Sequence, residues 1–333
     1  MTNKIILTGV KPTGTPHIGN LIGAIKPIID MSEKEDASTF VFVADLHALN
    51  FMKNAKELKE NVYDIAATFL ALGLSPEKAV LFKQSDIEQV PQLSSLLMNV
   101  TPKGLMNRAH SYKAKTDQNL EKGLPEDDGI NMGLYTYPIL MAADILIYNS
   151  DLVPVGKDQK QHVEFARDIA LSFNHTYGKE ILKLPEPVIS ETGCIIPGFD
   201  GRKMSKSYGN TIPIFSPASA LRKNIMKIKT DSKRPEEPKD PEESIIFQLY
   251  RNFASSQETA RMEQAFRCGG LSYGDAKNEL FRVMDDYLSQ PREKYEYFMN
   301  HKAEVDTILQ QGAESARRLA ERTLSRVKKA MLG

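Results

Sequence analysis

Two segments carry residues whose types and spacing suit the grip of a polyphosphate. In Pro16-His17-Ile18-Gly19-Asn20, His17 and Asn20 stand three apart at the start of an apolar helical pattern, so their side chains share one face. The first N–H groups of a helix have no intrahelical partner and lie at its positive dipole end, which favours phosphate oxygens. An imidazole and a carboxamide add donors for oxygens whose charge shifts during phosphoryl chemistry. Far along the chain, Lys203-Met204-Ser205-Lys206-Ser207 supplies two lysines between Gly201 and Gly209. Those glycines let the loop fold tightly, and a compact, rotatable ammonium suits a migrating charge. A histidine at a helix start, or an exposed basic turn, is unremarkable alone. Together they point to phosphate chemistry.

Three further places invite attention. Asp144 lies in the otherwise apolar run Met141-Ala142-Ala143-Asp144-Ile145-Leu146, where a buried carboxylate is costly unless paired. It serves either a structural contact or an acceptor for a largely apolar ligand, and Tyr137 lines the same pocket. Gly156-Lys157-Asp158-Gln159 opens a helix at a strand end. Asp158 there suits an N-cap and equally suits ribose hydroxyls, with Gln159 reaching an ammonium. Asp45 and His47 end another strand and are candidate pocket residues. His162 has no second histidine or acid at ligand spacing and reads as structural.

Hydrophobic periodicity supplies the elements that position these groups. Residues 4–8 read as a buried strand, 9–14 as a loop, and 17 to about 31 as a helix that Pro27 should disturb. Strands follow at 39–44 and 79–82 with a helix at 56–72 between them. This βαβαβ alternation predicts an α/β fold with a parallel sheet, and ligands bind such sheets at the carboxyl ends of the strands. Residues 90–98 look helical, 101–129 resemble a polar, mobile insertion, and 132–148 are strongly apolar. Residues 151–156 then run from strand to loop, into a helix from 158 to about 173. Pro and charged residues from 213 to 243 mark a linker with short helices. From 244 onward helical patterns dominate, ending in a helix at 313–331 that is basic on one side.

The chain has 333 residues, 41% hydrophobic and 26% charged, with 43 Lys and Arg against 43 Asp and Glu. The length favours one large and one smaller domain. Zero net charge argues against an indiscriminate nucleic-acid binder, although 202–234 and 317–329 are locally basic. Cys194 and Cys268 form no CxxC, so neither a disulfide framework nor a cysteine metal site is expected. No apolar run reaches a membrane span, and residues 1–9 are too short a run for a signal peptide. A cytoplasmic protein is expected.

Several segments resemble the class I aminoacyl-tRNA synthetases, specifically the tryptophanyl enzymes. They are Gly9-Val10-Lys11-Pro12-Thr13-Gly14, His17-Ile18-Gly19-Asn20, Tyr135-Thr136-Tyr137-Pro138, 141–146, Val153-Pro154-Val155-Gly156 with Asp158-Gln159, and Lys203 to Ser207. The resemblance implies a Rossmann-type catalytic domain over 1–210, with HIGH-like and KMSKS motifs and a connective insertion around 88–135. It implies an all-α anticodon-binding domain over 211–333, its last helix packing back on the first, and a homodimer. ATP would be bound by Lys11, Pro12, Thr13, Gly19, Asn20, Gly156, Asp158, Lys203, Met204, Ser205 and Lys206. His17, Asn20, Lys113, Lys203 and Lys206 would assist catalysis at the phosphates. L-tryptophan would meet Leu7, Gly9, Asp45, His47, Tyr137, Met141, Asp144, Val153, Val155 and Gln159. Asp144 would accept the indole N–H, while Tyr137 and Gln159 would hold the ammonium. Mg²⁺ would arrive on the ATP phosphates with no protein ligand, and tRNA(Trp) would be the second substrate.

The chain departs from the family pattern at Lys11, where many relatives have Gln, and at Asn20, which replaces the second His of HIGH. The tyrosyl enzymes are the nearest rival, but Leu7 stands where they carry a Tyr for the substrate hydroxyl. A small-molecule nucleotidylyltransferase, which need not keep a long helical C-terminal half, and a non-catalytic paralogue, which would lose the phosphate lysines, are the readings from other classes.

Overall fold

Runs of β-branched and aromatic residues favour strands, and five of them form one sheet in the computed structural model, which describes residues 4–34, 37–156, 159–189 and 196–333. The strands are β1 (Lys4–Val10), β2 (Ala37–Val43), β3 (Ala79–Lys83), β4 (Leu152–Val155) and β5 (Glu186–Ile189), in the order β3-β2-β1-β4-β5. All neighbours are parallel, and the order reverses between β1 and β4. The two halves are joined there by the Ile6–Leu152 pair. Asp151 adds reciprocal bonds, its N–H donating to Ile5 O at 2.8 Å and its carboxylate accepting from Ile5 N at 2.9 Å. Such a reversal opens a crevice at the carboxyl ends of the strands.

Alternation along the strands sends Leu7, Phe40, Phe42 and Phe82 to one face and Val41, Val43 and Leu81 to the other. The first face is covered by α5 (Gln89–Leu97), α8 (Met132–Ile147) and α9 (Lys160–Tyr177). Against the second lie α1 (Ile18–Asn20), α2 (Lys26–Ser32) and α4 (Ala55–Ala71), with α10 (Ala218–Met226), α11 (Ile245–Tyr250), α12 (Ser256–Cys268) and α13 (Tyr273–Asn300) extending that core. A π turn, Leu21–Ile25, links α1 to α2, and Lys26 N–H reaches back to Leu21 O. The wider turn lies where the Pro27 ring would otherwise meet the preceding carbonyls.

Helix α14 (Lys302–Leu332) crosses the edge of the sheet. Val305 and Leu309 belong to one core, and Ala313, Ala316, Ala320 and Leu324 to the other. At the crossing, a Cβ on Gly312 would stand 1.9 Å from the Leu81 carbonyl oxygen. Gly312 therefore lets the helix lie on edge strand β3 and cover groups that would otherwise template further pairing.

Three expectations change. Residues 101–129, read as a polar, mobile insertion with no element assigned, carry α6 (Lys103–Met106) and α7 (His110–Glu121). Their polarity reflects a helix burying only Thr116 and Asn119. Strand β5, short and containing Pro187, was not foreseen. The last helix begins at Lys302 rather than 313, running unbroken through Gly312 where it lies against β3. Among the described residues no helix is long and apolar enough to cross a membrane.

Replacing Gly312 by Ala should cost about 1–3 kcal/mol, because the methyl meets backbone that has no rotamer to yield. Urea denaturation of the two proteins measures this, and an unchanged midpoint would refute the close-approach account.

Candidate active site

The two polyphosphate segments meet although almost two hundred residues separate them. Ile18 N–H donates to Ile212 O at 2.9 Å, Ile214 N–H donates to Pro16 O at 3.1 Å, and His17 and Pro213 form an antiparallel bridge. Gly19 N–H, at the start of α1, points to Met204 Sδ at 3.3 Å. Lys206 Nζ donates to Thr13 O at 2.9 Å and lies 3.5 Å from where a Gly14 Cβ would be. Gly14, with φ +88°, turns the loop after β1 so that this approach is open. Gly201 and Gly209 likewise have φ +88° and +62°.

Buried Asn210 organises the lysine loop. Its carboxamide oxygen accepts from Ser205 N at 2.8 Å, and its Nδ2 donates to Asp200 Oδ1 at 2.7 Å and Lys203 O at 3.1 Å. The bond from Asn210, with further ones from Arg202, holds the half-buried Asp200 carboxyl down at about 2. Lys203 and Lys206 remain exposed, whereas Met204 is buried.

Asn20 folds its carboxamide back to accept from His17 N at 3.1 Å. His17 is 8% exposed, and its Nδ1 has no protein partner. Burial, followed by the charge on Lys206, lowers its pKa to about 4. The imidazole is thus neutral near pH 7, and one buried nitrogen is unspent. Although the side chain is exposed as a whole, partial desolvation of its ammonium lowers the Lys206 pKa, against an opposing pull from Asp64. Lys11 Nζ lies 5.9 Å from the Tyr137 ring centroid and 6.0 Å from that of Phe51.

Across the crevice, Asp144 is 1% exposed on α8. His47 Nε2 is 2.9 Å from its Oδ2, and Gln84 Nε2 donates to Oδ1 and Oδ2 at 2.9 and 2.8 Å. The Gln84 carbonyl oxygen accepts in turn from Leu46 N at 3.1 Å and His47 N at 3.3 Å, at the start of α3 (Asp45–Ala48). Burial raises the Asp144 pKa, while the bonds from His47 and Gln84 restrain the rise. A carboxylate offers about four acceptor sites, so capacity remains for one further donor. Asp45 is differently committed: Ser85 Oγ donates to it at 2.5 Å, and the N–H groups of Ser85 and Leu46 at 3.0 Å. Its carboxylate ties the ends of β2 and β3 together.

Tyr137 and Gln159 flank a single imidazole. Tyr137 OH bonds His162 Nε2, His162 Nδ1 is 2.7 Å from Gln159 Oε1, and Ser111 Oγ reaches the phenol at 3.3 Å. Leu7 and Val153 are buried in the cluster that Met141 and Val155 line in part. Gly9 makes room for Phe42, whose ring would lie 2.3 Å from a Cβ there. Pro12 is buried beside the exposed Lys11 and Thr13, and Gly156 is exposed at the end of β4. Lys113 is exposed on α7, and Asp158 lies outside the described residues. Gln84, Ser111 and Asn210 were not foreseen, and His162 was read as structural only. For Gln84 a signal existed: it directly follows β3, at the sheet edge where ligands bind. Among the described residues no group of three or more His, Cys, Asp or Glu is placed to hold a metal.

A parallel sheet with this strand order and two polyphosphate segments meeting at its carboxyl edge defines a class of nucleotide-using enzyme. The family model described as tRNA synthetases class I (W and Y) matches residues 2–289, and the chain belongs to that family. Relatives with high identity to the chain include tryptophan–tRNA ligases. It is 48% identical over 333 residues to the tryptophan–tRNA ligase of Pseudomonas aeruginosa, covering 99% of this chain and 74% of that one. It is 49% identical over 320 residues to that of Bordetella parapertussis, covering 96% and 71%. The crystal structure of tryptophanyl-tRNA synthetase from Campylobacter jejuni complexed with ADP and tryptophan is 42% identical, with TM-score 0.87 over 98% of both chains. A tyrosyl-tRNA synthetase from Archaeoglobus fulgidus, 21% identical with TM-score 0.62 over 88% of this chain and 90% of that one, shares the fold.

His17 titrates near 4 in the folded protein against about 6.5 unfolded. Between those values the unfolded chain binds the additional proton, so stability should fall as pH drops from about 6.5 to about 4. The stability difference between about pH 4.5 and pH 7, from denaturant titrations, should be smaller in His17→Asn. An equal difference would show that another group is responsible.

Proposed function

We infer that the chain carries the activity for which its relatives are named. It is a tryptophan–tRNA ligase, an aminoacyl-tRNA ligase of class I. The observation that carries this is 48–49% identity to such ligases over nearly the whole chain. The site geometry agrees. A buried carboxylate with acceptor capacity stands at the carboxyl edge of the sheet, and Leu7 offers no hydroxyl partner for a phenol. A site without that partner loses much of its preference for tyrosine.

In this reading Asp144 accepts the indole N–H, with Leu7, Gly9, Met141, Val153 and Val155 shaping the apolar pocket and His47 and Asp45 fixing its floor. Tyr137 and Gln159 hold the ammonium. Lys11, Pro12, Thr13, Gly19 and Gly156 line the ATP site, where Asp158 takes the ribose. His17, Asn20, Lys203 and Lys206, within the loop carrying Met204 and Ser205, meet the phosphates, and Lys113 joins them when the site closes. Mg²⁺ enters on ATP's phosphates and water. The carboxylate of tryptophan attacks the α-phosphorus, pyrophosphate leaves, and a terminal ribose hydroxyl of tRNA(Trp) then attacks the adenylate carbonyl and releases AMP. No protein nucleophile is required, so rate comes from positioning and charge stabilisation. Residues 1–210 would form the catalytic domain and 211–333 the anticodon-binding one. The packing of α14 on β3 supports a last helix that returns to the first domain. The working form would be a cytoplasmic homodimer.

ATP–pyrophosphate exchange should depend on tryptophan and be far weaker with tyrosine. Exchange without tRNA charging would favour a small-molecule nucleotidylyltransferase. Asp144→Asn should weaken tryptophan binding by about 1–3 kcal/mol through a poorly satisfied buried pair, and an unaltered affinity would remove Asp144 from the pocket. Lys206→Ala should slow exchange much more than it weakens tryptophan binding, as expected of a group acting in the transition state. Binding can be followed by ligand fluorescence, because the chain has no tryptophan. Equal losses in rate and affinity would refute that role.

A further inference from the structure

We propose that Tyr295 is a positioning residue for the ATP step, holding the start of α1 and the lysine loop in place from the helical half. This rests on the reading of His17, Lys203 and Lys206 as groups that meet phosphate. The Tyr295 ring is attached twice. One face stacks on Phe215, with centroids 4.5 Å apart and planes inclined by 23°. Its hydroxyl donates to Asp64 Oδ1 at 2.9 Å. Phe215 directly follows Ile214, whose N–H donates to Pro16 O at 3.1 Å beside the His17–Pro213 bridge. A series of direct contacts thus runs from Asp64 on α4, through Tyr295 and Phe215, to the residue before His17.

Stacking between rings is broad in its geometry, whereas a hydrogen bond is directional. The bond to Asp64 therefore fixes where along α4 the stacked pair sits. Asp64 is 9% exposed, and a buried carboxylate is costly unless it is hydrogen-bonded. Burial and the Asp64 charge raise the Tyr295 pKa, so the phenol keeps the hydrogen it donates. The same carboxylate reaches the lysine loop through its charge. It pulls the Lys206 pKa upward, and Lys206 in turn lowers that of Asp64. The neighbouring residue supplies a contrast. Tyr63 OH donates to the Asp306 oxygens at 3.0 and 2.9 Å, tying α4 to α14. Adjacent residues of α4 thus make two phenol–carboxylate bonds to the helical half, and one of them carries the ring on Phe215. If docking of the helices were all that mattered, both bonds would serve alike.

The test measures kcat of ATP–pyrophosphate exchange at saturating tryptophan, and tryptophan Kd by ligand fluorescence without ATP. Tyr295→Phe keeps the stack and loses the bond. Its kcat should fall about fivefold or more, as for loss of a bond to a charged group, with Kd changed less than about twofold. Tyr295→Leu loses stack and bond and should be slower still; if it does not fold, the phenylalanine variant carries the test. Tyr63→Phe should leave kcat within about twofold, because its bond does not engage Phe215. Phe215→Leu should lower kcat alone but add less than about twofold in a Tyr295→Leu background, because the two act through one contact. An unchanged kcat in Tyr295→Phe, an equal loss in Tyr63→Phe, a parallel loss of tryptophan affinity or full additivity with Phe215→Leu would overturn the proposal. Undiminished exchange by Lys206→Ala would instead overturn the phosphate reading beneath it.

Discussion

The candidate site exists because a short antiparallel pairing joins residues 16–18 to 212–214. Two backbone hydrogen bonds and the burial of Met204 on Gly19 bring the start of α1 and the lysine loop to one place. The pairing continues into the helical layer. Phe215, the next residue, stacks on Tyr295 of α13 with centroids 4.5 Å apart, and Tyr295 OH donates to Asp64 on α4 at 2.9 Å. Sheet, lysine loop and C-terminal helices thus share one joint. Losing it would leave each segment a helix start and a basic turn, neither able to hold a polyphosphate alone.

The donors proposed for phosphate make weak contacts within the protein. Gly19 N–H is opposite a thioether sulfur, a poor acceptor, and Lys206 Nζ rests on the neutral carbonyl of Thr13. Exchange of either for an ionised oxygen trades a weak hydrogen bond for a charge-assisted one. The unpartnered Nδ1 of His17 belongs to the same account. Such weak contacts let these donors exchange partners at small cost.

What the sequence disclosed follows from which signals are local. Strand and helix periodicity, the glycines beside the lysine loop and the carboxylate on the apolar α8 are set within a few residues, and the fold keeps them. Gln84, His162 and Asn210 draw their meaning from partners distant in sequence or from the path of a loop, and their residue types alone suit any surface. Gly312 has no local signal of its role for a related reason. A glycine breaks a helix by propensity, but here its missing side chain is a contact surface for β3. Helix α7 within residues 101–129 is hidden in the sequence because a helix that buries two side chains has little apolar stripe to display.

The α8 side of the candidate site shows why buried polar groups are tolerated in an apolar crevice. Tyr137, Met141 and Asp144 recur at four- and three-residue steps on α8, and so share one helix face. Each polar member is neutralised by a different neighbour: Asp144 by α3 and the end of β3, Tyr137 by α7 and α9. The two networks are separate, yet a single rigid helix carries both. A substrate bearing an N–H donor at one end and an ammonium at the other can satisfy both networks at once. One lacking either donor leaves a buried acceptor unmatched, at about 1–3 kcal/mol. On the proposed reading, selectivity would reside in the spacing of these groups along α8.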